Sequence, residues 1–177
     1  RRLRISPDGV EYRGKKISLE SIGRTRWGCT KHYLNGIPTG TNCTIELMGG
    51  GNRLVIETRK QEIFSEAIDC IWKAVGTRLI TEMLTDLRDG KSYNFGAAIV
   101  HDSGVELPRK KLMWSSGRES CKWNELVIGN EPGGFYIVSK DDRKVFISLS
   151  YQEQDNVHIL ETAMRMFWKR ASARLSD

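Results

Sequence analysis

The sequence predicts an α+β chain, mostly antiparallel β, built from two copies of one small unit. Three observations carry that prediction. PDGVEYRGKKI at residues 7–17 is answered by DSGVELPRKKL at 102–112, with Gly9, Val10, Glu11, Lys15 and Lys16 recurring 95 positions later. In each half, short segments of alternating character give way to an apolar period of three and four. The tryptophans of those two helical stretches, Trp72 and Trp168, stand 96 apart, close to the spacing of the opening repeat. The expected units are residues 1–88 and 91–177. Each is several antiparallel strands closed by one amphipathic helix, with length differences confined to loops.

The first unit opens with RLRIS at 2–6 and VEY at 10–12 around Pro7-Asp8-Gly9, whose Asp-Gly pair signals a hairpin. KISLESI at 16–22 follows as a strand with Ile17 and Leu19 on one face. WGCTKHYLNGIPTGTN at 27–42 reads as a long middle loop. CTIEL at 43–47 and RLVIET at 53–58 are strands joined through Met48-Gly49-Gly50-Gly51-Asn52. That glycine run has no following Lys-Ser/Thr and opens no helix, so it reads as a turn and not a phosphate loop. From Ile63 to Leu87 the apolar residues recur at helical spacing, and Thr58-Arg59-Lys60-Gln61 matches a capping box. Gly76 inside this helix predicts a kink or a close packing contact. Asp89-Gly90 ends it. The stripe is long for a helix that caps one small unit, so Leu79 to Leu87 is expected to pack on a second surface.

The second unit repeats the order: NFGAAIV at 94–100, VEL, KKLMW, KWNELVI at 122–128, FYIVS at 135–139 and KVFISLS at 144–150. Ser150-Tyr151-Gln152-Glu153 matches a second capping box, ahead of a helix presenting Val157, Leu160, Ala163, Met164, Phe167, Trp168 and Ala171.

The 177 residues are 39% apolar and 28% charged, a globular and not a disordered composition. No run approaches the roughly 18–20 apolar residues that cross a bilayer. The chain opens at Arg1, without methionine or an apolar signal segment, and reads as a piece of a longer protein whose missing upstream segment would hold any membrane anchor. The net charge of +6 is spread over both halves and permits an anionic partner without requiring one. Cys29, Cys43, Cys70 and Cys121 show neither a CxxC pair nor metal-ligand spacing, and they do not repeat between halves. They are expected as free thiols of a cytosolic protein. Asn42-Cys43-Thr44 fits a glycosylation sequon, a triplet common by chance. No metal or cofactor is expected.

No catalytic constellation emerges. His32, His101 and His158 have no nucleophile at a suitable spacing, and Ser115-Ser116-Gly117 lacks the strand-turn-helix context of a hydrolase elbow. Trp27 and Trp114 are expected in the core. The sharpest functional hint is the recurring basic pair, Lys15-Lys16 and Lys110-Lys111, here extended by Arg109. Such residues gain from an anionic surface, or they guard an edge strand against aggregation.

With its element order, its two helix tryptophans and Trp123-Asn124-Glu125-Leu126 (echoed by LESI at 19–22), the chain resembles the pleckstrin-homology superfold, and more narrowly the bacterial PH-like domains. The resemblance implies small orthogonal sheets forming a sandwich or barrel, a C-terminal helix capping one corner of each unit, and a helix tryptophan packed into each barrel. It also implies a non-catalytic binding or scaffolding module at the cytoplasmic face of a membrane, taking a protein or peptide partner or a second copy of itself. The alternative is anionic lipid headgroups bound through Lys15, Lys16, Arg24, Arg26, Arg109, Lys110, Lys111 and Arg118. These depart from the Lys-x(n)-Arg-x-Arg arrangement of phosphoinositide-binding members. Histone or nucleic-acid binding by a double module is a third reading, disfavoured because no aromatic-basic interleaving or recognition helix appears.

Overall fold

A computed structural model describes residues 2–110, 117–170 and 174–176. The fold is α+β with antiparallel strand pairing throughout, and the chain divides into two compact units, Arg1–Leu79 and Ile80–Asp177. The division falls inside the long helix, whose last turns group with the second unit.

In the first unit, β1 (Leu3–Ser6), β2 (Gly9–Tyr12) and β3 (Lys15–Ile17) form one sheet, and β4 (Arg24–Leu34), β5 (Ile37–Gly49) and β6 (Asn52–Thr58) form another. The strand expected over 16–22 stops at Ile17, because residues 18–21 turn back on themselves through Ser21 Oγ donating to Ser18 O at 2.9 Å. The core takes Val10, Tyr12 and Ile17 from the first sheet and Trp27, Ile45, Leu47, Leu54 and Ile56 from the second. These alternate with outward residues as a sheet with one covered face requires.

The helix begins at α1 (Gln61–Ile71), passes through a π-helical turn over Trp72–Gly76 and continues as α2 (Thr77–Arg88). Ala67, Ile71 and Val75 lie on its buried face in the first unit, while Met83 and Leu87 are buried residues of the second. The expected capping box does not form: Lys60 is the N-cap without a side-chain bond, and Thr58 Oγ1 accepts only from the Lys60 N–H at 3.1 Å. Gly76 has the predicted reason for being glycine, since a Cβ there would strike the indole of Trp72. The π turn widens the helix at the same place. Gly90, with φ +84°, closes the helix through Lys91 N–H donating to Asp86 O at 2.9 Å, a Schellman-type end.

The second unit has a four-stranded sheet, β7 (Tyr93–Phe95), β8 (Ala98–His101), β9 (Gly104–Pro108) and β10 (Arg118–Lys122), then a 3-10 turn at Trp123–Glu125. A three-stranded sheet follows, β11 (Leu126–Glu131), β12 (Gly134–Ser139) and β13 (Phe146–Ser150), and then α3 (Val157–Arg170). NFGAAIV is two strands and not one, since Phe95 pairs with Ala98 across Gly96-Ala97. KWNELVI likewise starts as the 3-10 turn, held by Lys122 N–H donating to Glu125 Oε2 at 2.8 Å. The capping box expected at Ser150 is displaced. Gln154, not Glu153, accepts from the Ser150 N–H at 2.7 Å, and α3 starts only at Val157. KKLMW, apart from Lys110, lies outside the described residues, as does Trp114.

The repeat is present in the backbone. Ser6 pairs with Gly9 and His101 with Gly104, each around a two-residue turn. Val10 then pairs with Ile17, and Val105 with Cys121. The offset thus grows from 104 − 9 = 95 to 121 − 17 = 104 through the longer segment of the second unit. Gly9 and Gly104 hold the matching contact. A Cβ on Gly9 would run into Ile17 O, and one on Gly104 into Cys121 O. Replacing either by Ala should destabilise the chain by about 1–3 kcal/mol in urea unfolding, the cost of overpacking. Gly23→Ala, where nothing lies within 4 Å of the added carbon, should stay within about 0.5 kcal/mol. Equal effects at all three positions would show that the close approach does not hold the strands in place.

Candidate functional site

The eight basic residues singled out by sequence do not form one site. Lys15 and Lys16 are exposed on β3, and Arg24 and Arg26 stand on β4 in the other sheet of the first unit. Lys15-Lys16 pair across a turn with Tyr12 and Glu11, whereas Lys110, the counterpart of Lys15, follows the end of β9, so these matching sequence positions occupy different structural places. Arg109 is committed to carboxylates, with Asp142 at 2.6 Å and Glu119 at 3.6 Å. The Lys144 backbone N–H and then Arg109 hold the Asp142 carboxyl below the usual carboxylate range. Lys110 Nζ lies 4.4 Å from the centre of the Phe146 ring. Arg118 is exposed on β10. Lys111 lies outside the described residues.

The histidines are separately engaged: His101 Nε2 is 2.9 Å from Glu106 Oε1, and His158 stacks on Tyr151 at 3.9 Å. His32 is exposed on β4. Among the described residues, no group of three or more His, Cys, Asp or Glu is placed to hold a metal, and no buried side-chain nitrogen or oxygen lacks a hydrogen-bond partner. Tyr93 and Tyr151 have hydroxyl pKa values pushed above the ordinary range, by burial first and then by donating at 2.6 Å to Asp86 and Glu161. Both are protonated structural donors.

Two features escaped the sequence reading. The first is a groove of about 590 Å³ on the outer face of β11, β12 and β13, lined by Val127, Tyr136, Val138 and Phe146, with the cations Lys140 and Arg143 and one carboxylate, Glu131, which accepts from Ser148 Oγ at 3.2 Å. Phe135 and Ile137 point inward and are fully buried, so their neighbours Tyr136 and Val138 face outward. Cross-strand pairing sets Val127 beside Val138 and Val138 beside Phe146. The Tyr136 ring lies over Gly129, where any Cβ would overlap it. Val127 remains 43% exposed. The signal was present in FYIVS, which is apolar at nearly every position and so has apolar side chains on both faces.

The second is in the first unit. Residues 27–42 are no loop but the two long strands β4 and β5, joined at Asn35-Gly36 with φ +50° and +81°, the conformation of a type I′ hairpin turn. β6 pairs with β5 only from Cys43 onward, so residues 29–42 form a two-stranded arm. At its base Cys29 and Cys43 are a disulfide between directly opposed residues, correcting the expectation of four free thiols. Only Cys70 and Cys121 are free. Burial and then Glu119 push the Cys121 thiol upward, which keeps it protonated and unreactive.

No family model matches the chain, and no curated protein or solved structure matches it either. Function must therefore be argued from these surfaces. The disulfide closes a separation of 14 residues, which in the chain-entropy view contributes about 3 kcal/mol. In denaturant without reductant a thiol reagent should titrate two groups, and four after reduction. Four groups before reduction would refute the pair.

Proposed function

We propose that the chain is a non-catalytic binding and scaffolding module of two pleckstrin-homology-like units that recognises a protein or peptide partner. The fold is supported by the second unit, whose four strands, three strands and closing helix follow the order of that superfold, and by the parallel order of the first. The binding reading rests on one observation, the apolar groove over Val127, Tyr136, Val138 and Phe146 with the exposed cations Lys140 and Arg143 beside it. Its occupant is an extended peptide in which apolar side chains alternate with carboxylates. The apolar groups cover the exposed valine and rings, and the carboxylates meet Lys140 and Arg143.

The headgroup alternative is weakened in the second unit, because Arg109 is already neutralised by Asp142 and Glu119. Location is proposed with the cysteines in view. Among the described residues no helix is long and apolar enough to cross a membrane. The Cys29–Cys43 pair favours an oxidising compartment over the cytoplasmic face expected from sequence.

Titration of the isotopically labelled chain with a short synthetic peptide alternating leucine and glutamate should move the amide resonances of Val127, Tyr136, Val138 and Phe146. Val127→Asp should weaken that binding about tenfold or more, about 1.4 kcal/mol, and Arg143→Glu should weaken it more at low than at high salt. Unmoved groove resonances, or full affinity in Val127→Asp, would end this reading. Self-association through the groove would appear instead as a concentration-dependent sedimentation coefficient abolished by Val127→Asp.

A further inference from the structure

Every residue from Cys29 to Gly40 is exposed, so neither face of the first unit's arm is covered. Its apex carries Tyr33, 61% exposed, Leu34, 65%, and Ile37, 67%, on the outermost registered pairs, Tyr33↔Pro38 and Leu34↔Ile37. From Cys29 to Leu34 the strand advances roughly 17 Å at the usual rise per residue. A two-stranded ribbon with no covered face is marginal in water by itself. The Asn35-Gly36 turn holds this one at its apex, and the Cys29–Cys43 bond holds it at its base.

That bond joins residues already opposed in one ladder, and the loop it closes, residues 30–42, is the arm and nothing else. Below it β4, β5 and β6 stay together through their own pairing and through Trp27, Ile45, Leu47, Leu54 and Ile56, all buried. The freedom that the cross-link removes is therefore removed from the arm. Its two sulfurs also differ in access. Cys43 is 0% exposed, whereas Cys29 is an exposed residue. Thiol exchange requires a thiolate to reach one sulfur of the pair, and exposed disulfides are the labile ones. Only Cys29 offers that approach.

We infer that Cys29–Cys43 is a redox switch, opened by a dithiol that attacks Cys29 Sγ, and that its opening releases the arm. The attacking thiolate forms a bond to Cys29 Sγ. The disulfide breaks with its electron pair going to Cys43 Sγ, which takes a proton from water. The reductant's second thiol gives its proton to water, attacks the reductant's own sulfur in the mixed disulfide and frees Cys29, which is protonated in turn. The chain gains two electrons and two protons, and the dithiol leaves as its disulfide. With the bond closed, Tyr33, Leu34 and Ile37 are held in one geometry. With it open, the ribbon unpairs while the sheet at its base stays. The switch uses no groove residue and goes beyond peptide recognition.

Trypsin is a direct probe, because Lys31 is the one lysine or arginine between Cys29 and Cys43. Dithiothreitol should reduce the bond in native buffer without denaturant. Cleavage after Lys31 should then run about tenfold or more faster, since cleavage follows the population of the open form. Cleavage after Arg53 on β6 should not change, and urea unfolding should remain cooperative. The Cys29→Ser/Cys43→Ala chain should be cut as fast as the reduced chain, with or without dithiothreitol. The reduced wild-type chain decides the matter even where that variant does not fold. Brief exposure to glutathione, quenched in acid and mapped by mass spectrometry, should place the adduct on Cys29. Reduction that requires urea, equal cleavage after Lys31 in both states, or an adduct on Cys43 instead overturns the inference. So does loss of cooperative unfolding on reduction, since the bond would then be a staple of the whole sheet.

Discussion

In the first unit Trp72 meets Trp27 edge-on at 6.0 Å, and in the second Trp168 meets Trp123 in the same way at 6.3 Å. Each pair joins the closing helix to the strands or turn that precede it, and each adds about 0.5–1.5 kcal/mol beyond the area it covers. The helix stripe follows from that anchor. With Trp72 fixed, Ala67, Ile71 and Val75 fall on the covered face, and Gly76 must be small because the indole occupies the space of its Cβ. With Trp168 fixed, Phe167 comes within 5.8 Å of Trp123, whose indole N–H donates to Asp102 O at 2.7 Å. The backbone of the β8–β9 turn, the 3-10 turn and the helix are thereby tied to one ring. A core closed this way covers one face of each sheet and leaves the other outward, which is why the apolar residues at odds with ordinary alternation stand out on β11 to β13.

Much of the fold was legible because its signals are local. Asp8-Gly9 marked the first hairpin, the three-and-four spacing marked both helices, and the paired Gly-Val-Glu segments marked two hairpins with matching turns. The failures have physical causes too. A strand with both faces exposed has no apolar alternation to detect, so Thr30 to Thr41 read as a loop although Asn35-Gly36 is a strong hairpin turn. The helix starts were misjudged because side chains two to four residues away supply the hydrogen bonds without forming the reciprocal box.

The candidate sites were less legible, for a reason visible in Arg109. A basic cluster in sequence says nothing about the carboxylates that fold onto it, and Asp142 is 33 residues away. Lys15 and Lys110 share the 95-residue offset, yet Lys15 follows a turn that returns it alongside Tyr12, whereas Lys110 follows the end of β9. The disulfide needed register instead. Counting back from Asn35-Gly36 in a regular hairpin sets Cys29 opposite Asn42. The one extra residue, Thr39, left between the pairs His32↔Gly40 and Tyr33↔Pro38, brings Cys43 opposite it.

That bulge links the arm's shape to the chemistry of its surroundings. A two-stranded ribbon with no covered face is marginal in water, because few apolar contacts offset the entropy of ordering it. Here the tight turn holds one end and the covalent link the other, at the last position where β6 still pairs with β5. Reducing that link leaves the sheet intact, since Trp27, Ile45 and Leu47 remain buried, but it returns to the arm the freedom that the link removed. The stiffness of the apolar tip is therefore a function of redox environment, whereas the groove of the second unit, formed by regular strands around Gly129 and Tyr136, depends on no cysteine.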